Sequence, residues 1–91
     1  MTELARILKE RNETYGDFAA ESELADMLQT VLRNSAITKW DGLESYKRQA
    51  IRMICVKLAR IINGDSHHAD SWADIAGYAQ VAKGVIERSG R

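Results

Sequence analysis

No proline occurs anywhere in the 91 residues, and four stretches place apolar side chains at intervals of three and four. Proline fixes φ and removes a backbone donor, so its absence leaves long runs free to hydrogen-bond internally. A 3/4 spacing lines up apolar side chains on one face of a helix, whereas a half-buried strand needs strict alternation. Together these features predict an all-α chain whose helices are joined by short turns containing glycine or asparagine.

The first stretch, about residues 3–12, sets Leu4, Ile7, Leu8 and Arg11 on one face, with Thr2 placed to cap it. Gly16 in "NETYGD" is the turn residue, and Asp17 is the N-cap of a second helix over about 18–33. Its stripe is Phe18, Leu24, Met27, Leu28, Val31 and Leu32. "NSAITKWDG" reads as a loop. Asp41 followed by Glu44 resembles a capping box opening a third helix over about 43–62. Leu43, Ala50, Ile54, Leu58 and Ile61 form its stripe, and Asn63-Gly64 stops it. The fourth helix, about 68–87, is apolar round most of its circumference, which predicts the most buried helix of the set. The expected architecture is a single domain over 1–91, a four-helix antiparallel bundle-like fold completed by oligomerisation to a dimer or tetramer.

Thirteen basic residues balance thirteen acidic ones. A dedicated DNA-binding domain normally shows a basic excess or stripe, so DNA is not an expected partner. No apolar run approaches the ~20 residues that cross a bilayer. The charged start, "MTELARILKERNE", lacks a signal-peptide core, so no membrane association and a cytoplasmic location are expected. The single cysteine, Cys55, cannot form an internal disulfide and falls in an apolar helical run, as a small buried hydrophobe does.

"DSWADIAGYAQVA" (70–82) is the stretch that pure packing does not explain. At 100° per residue Asp70, Asp74, Tyr78, Val81 and Val85 share one face, so two carboxylates lie among packing residues. Gly77 and Gly84 flank that face. Glycine within a helix costs ~1 kcal/mol relative to alanine, so a tight crossing by another helix, or close approach by a ligand, is expected there. Glu21 interrupts the second helix's stripe, and Lys57 lies at the edge of the third's, with Tyr46, Met53 and Arg60 on the same flank. Buried carboxylates require partners. In one account Lys57 or Arg60 pairs with Asp74 while Asp70 caps the fourth helix. In the other, carboxylates of helices two and four converge on Mg²⁺, which favours oxygen ligands and is often shared with substrate phosphates, and Lys57 and Arg60 meet those phosphates. His67 and His68 are adjacent and lack the further ligands a zinc site needs, so a solvated turn is expected. No serine or cysteine shows recognisable nucleophile spacing.

"RNETYGDF", "MICVKLARIING" and "HHADSWADIAGYAQVA" occur in that order across nearly the whole chain. They carry Tyr15-Gly16-Asp17, Lys57-Leu58-Ala59-Arg60-Ile61, and Asp70 with Asp74-Ile75-Ala76-Gly77-Tyr78. This combination resembles a family of small phage-encoded helical proteins of largely uncharacterised function. More distantly, the layout is similar to the all-α, MazG-like nucleoside triphosphate pyrophosphatases, which hold Mg²⁺ between Glu-x-x-Glu and Glu-x-x-Asp pairs on two helices.

The second resemblance implies Mg²⁺-dependent hydrolysis of a nucleoside triphosphate. Glu21 and Asp74 would be its catalytic carboxylates, and Glu21, Asp70 and Asp74 its metal ligands. Lys57, Arg60, Tyr15 and Tyr78 would contact the nucleotide, or another small phosphorylated ligand. Asp74 matches the last aspartate of the second pair. Ser71 stands where that pair has glutamate, so Asp70 must substitute. Glu23 and Asp26 supply the i, i+3 spacing of the first pair. The degraded acidic pattern favours the alternative, a non-catalytic module that binds a nucleotide or a host protein, whereas the inward placement of Glu21, Asp70 and Asp74 favours hydrolysis. A third possibility is a purely structural helical oligomer with Lys57–Asp74 as a buried register pin.

Overall fold

The computed structural model describes residues 2–90, and its regular elements over them are all helices; Met1 and Arg91 of the expected domain lie outside. The helices are α1 (Glu3–Tyr15), α2 (Phe18–Leu32), α3 (Ser45–Asn63) and α4 (Ala69–Ser89), with a short 3₁₀ turn at Trp40–Gly42. The first two open on side-chain caps. The Thr2 hydroxyl accepts from the Ala5 amide at 3.0 Å, and the Asp17 carboxylate accepts from the Ala20 amide at 3.0 Å. Both satisfy amides that an N-terminus leaves without intrahelical partners. The expected spans agree with these bounds to within a turn.

Three local expectations need correcting. Asp41 does not open α3. It lies in the 3₁₀ turn, and Glu44 is the N-cap, its carboxylate 2.6 Å from Lys47. Trp40, which opens that turn, is buried. Asp70 does not cap α4 either. His68 holds that position and Asp70 lies in the first turn, where its charge complements the positive end of the helix dipole. Gly77 and Gly84 do not mark a tight crossing within the chain. A Cβ at Gly77 would meet nothing within 4 Å, and at Gly84 only the Arg88 guanidinium.

The largest correction concerns burial. α3, not α4, is the central helix. α2 and α4 both pack chiefly on α3, and α1 touches α2 and α3 more sparsely. The buried apolar residues are Ala25, Trp40, Ala50, Cys55, Ala59 and Ile61, four of the six on α3. α4 packs chiefly on α3, and much of its apolar circumference faces outward, with Trp72, Val81 and Ile86 exposed. The α1 stripe of Leu4, Ile7 and Leu8 is exposed as well.

Two turns lock together at one end of the molecule. Gly16 has φ +82°, a conformation that favours glycine, and a Cβ there would strike the Asn63 carbonyl. Gly64 lies against the Thr14 and Tyr15 backbone with equally little room, and the Asp65 amide donates to the Thr14 carbonyl at 2.6 Å. The α1–α2 and α3–α4 connections are therefore packed backbone to backbone. That contact brings Tyr15 beside α3 and the start of α4.

Candidate functional site

The inward-leaning polar residues sort into two groups on consecutive turns of α3. Arg60 and Lys57 are three residues apart, and each holds a carboxylate from a different neighbouring helix. Arg60 Nε donates to Glu21 Oε1 at 2.9 Å. Lys57 Nζ stands 3.0 Å from Asp74 Oδ2. Lys57 thus takes the partner expected of it, while Arg60 turns to α2.

Glu21 is 3% exposed, so its charge needs compensation from the chain. Arg60 supplies one strong contact. Arg11 Nη2 lies 3.7 Å from Oε2, beyond hydrogen-bond range, and Oε2 is buried with no hydrogen-bond donor. The two guanidiniums are also held by rings. Arg60 lies 4.8 Å and Arg11 5.4 Å from the Tyr15 centroid, and Arg11 lies 5.2 Å from Phe18. Such contacts favour a cation over the electron-rich ring face. His68 completes the cluster edge-on to Tyr15 at 5.5 Å.

Arg11 and His68 were not expected here. The signal for Arg11 was its place in the α1 stripe, where a charge implies a buried partner. His68 carried no signal, because its contact depends on the meeting of the two turns. His67 is solvated as expected.

The second group is open. Asp74 retains 49% of its side-chain surface, whereas Lys57 retains 13%. Ala73, Asp74, Gly77, Tyr78 and Val81 line a depression of about 250 Å³ on α4. The ammonium is therefore largely enclosed, while the carboxylate lines the depression and is half open to solvent. The bare Gly77 leaves the helix backbone approachable at the same place.

The acidic residues expected to hold Mg²⁺ are not brought together in one chain. Among the described residues no group of three or more His, Cys, Asp or Glu side chains is placed to hold a metal ion. Glu21 is engaged with two arginines, Asp74 with Lys57, and Asp70 is exposed. Nor does Asp70 substitute for a glutamate at position 71. Ser71 is buried, and its neighbour points about 100° away round the helix. Within a single chain they do not form an all-protein Mg²⁺ site.

Cys55 is buried on α3, and burial pushes its thiol pKa above the ordinary value, as desolvation does for a thiolate. It is a packing residue, as expected. Among the described residues, no helix is long and apolar enough to cross a membrane.

Fold and site together describe a small all-helical domain with a locked arginine–carboxylate cluster and an open lysine–aspartate pair. The chain belongs to a family defined by a domain of unknown function, DUF6378, whose model matches residues 2–86. No curated protein and no solved structure matches it.

Proposed function

We propose that the chain is a non-catalytic module that binds a small phosphorylated ligand of the nucleotide class at the α4 depression. The observation behind this reading is Asp74, which is half exposed in its pair with the largely buried Lys57 and lines the depression beside Gly77 and Tyr78. Lys57 would donate to a phosphate oxygen, Asp74 would accept from a sugar hydroxyl or base N–H, and the Tyr78 ring would cover an apolar edge. A volume of about 250 Å³ falls just below the usual range of ligand cavities, about 300–1,000 Å³. Such a ligand would seat one part there and lay the rest over α4.

The MazG-like hydrolytic reading has one observation in its favour. Asp70 and Asp74 stand one turn apart on α4 and both are exposed, and Mg²⁺ can be held by one or two carboxylates plus substrate phosphates. Thermal melting with a nucleotide panel, in Mg²⁺ and in EDTA, separates the readings when pyrophosphate release is followed in parallel. A ligand that binds only the folded state raises the melting temperature. The expected result is a shift that survives EDTA, is lost in Asp74→Asn, and comes without pyrophosphate. Gly77→Ala should weaken the ligand shift while raising the melting temperature of the free protein. No shift with any nucleotide overturns ligand binding, and Mg²⁺-dependent pyrophosphate release replaces the non-catalytic reading with the hydrolytic one.

A further inference from the structure

The packed chain is too open for its size. Its accessible surface is 6321 Å², whereas a folded monomer of 10.2 kDa exposes about 5300 Å². Its radius of gyration is 15.5 Å, against about 12 Å for a compact domain of this length. Among the described residues, no large side chain is fully enclosed. The excess surface is about 1000 Å² by the same scaling, and a standard protein interface takes about 800 Å² from each partner.

Part of that excess has a defined shape. Leu24, Met27, Leu28 and Val31 of α2 face Cys55 and Leu58 of α3 across a depression of about 440 Å³, with Leu32 at its end. Every lining residue is apolar. Met27 is 58% and Val31 61% exposed. The α2 residues recur at i, i+3, i+4 and i+7, the seam of a helix that has a partner. Two helices side by side with one apolar face are half of a four-helix bundle.

Charge indicates how the other half lies. α2 carries Glu21, Glu23 and Asp26 and no basic residue, while α3 carries Lys47, Arg48, Arg52, Lys57 and Arg60 and no acidic one. Glu23, Asp26 and Arg48 make no ion pair among the described residues. A copy turned so that α2 meets α2 sets acid against acid. A copy turned so that α2 meets α3 sets acid against base. We infer that the α2/α3 face binds a second copy of this chain, with α2 of one copy lying against α3 of the other.

Sedimentation equilibrium of the full chain at tens of micromolar tests this, independently of any nucleotide. The wild type should run at twice the chain mass, and the Met27→Asp, Val31→Asp double variant at the chain mass with its helical circular dichroism retained. Both side chains are already exposed in the single chain, so the variant has little reason to misfold. Should it misfold, hydrogen exchange of the wild type decides. Amides of residues 24–32 should gain protection as concentration rises. A monomeric wild type overturns the inference and leaves the face to a different protein. A dimer that survives the double variant but is lost in Val81→Asp overturns it in favour of α4.

Discussion

Glu21 is the buried charge through which three helices meet. Its carboxylate couples α2 to Arg60 of α3 and Arg11 of α1, and Tyr15 lies under both guanidiniums. Removing one partner of a buried pair typically costs ~3–5 kcal/mol, because the other charge is left uncompensated. Glu21→Ala should lose about that much stability in urea denaturation. Replacing Glu21 and Arg60 together by apolar residues should recover much of the loss. Equal losses in the single and double variants would show that packing, not charge pairing, matters there.

Cys55 gives the pH dependence. Burial raises its folded-state pKa above the ordinary 9.0, so the native state holds the thiol proton more tightly than the unfolded chain does. The contribution is complete below pH 9 and declines as pH rises from there through the folded value. Stability measured between pH 8 and 11 should therefore fall less steeply in Cys55→Ala, whose baseline is lower from the cavity it leaves. Parallel curves for the two proteins would remove Cys55 as the cause.

Among the elements, α3 and α4 exchanged the roles that the sequence predicts. Periodicity reports how much of a helix is apolar, but not how many neighbours it has. α4 is the more apolar of the two, yet it packs chiefly on α3; α3 carries five basic residues and still supplies most of the core. This inversion is measurable. Ala59 has no exposed surface, so Ala59→Leu should overpack the α3 interior and cost ~1–3 kcal/mol. Val81→Ala on the exposed face of α4 should change stability by less than ~0.5 kcal/mol. The reverse order would restore α4 as the buried helix.

At the scale of the whole molecule, the chain extends 51 × 30 × 21 Å. It is a layer built on α3 rather than a closed bundle. α1 projects from the locked turns with Leu4, Ile7 and Leu8 uncovered. A layer whose faces remain in water gains little from hydrophobic burial, so association should contribute to folding. The melting temperature should rise with protein concentration across the micromolar range, as mass action requires when only the folded state associates. A melting temperature independent of concentration would mean that the single layer is self-sufficient.

The sequence by itself determined what is local. Absence of proline, 3/4 spacing, Thr2 and Asp17 as caps, and Gly16 and Gly64 as stops define the helices, because each acts within a turn of its own position. It also showed that Glu21, Lys57 and Asp74 need partners, since an unpaired charge on a packing face is costly whatever the fold. Which partner each one takes was decided only by the tertiary structure. The backbone contact between the two turns brings Tyr15, Arg11 and His68 to Arg60, and the central position of α3 sends Lys57 to Asp74 and Arg60 to Glu21. These are contacts between residues tens of positions apart, and helical spacing carries no information about which helices become neighbours.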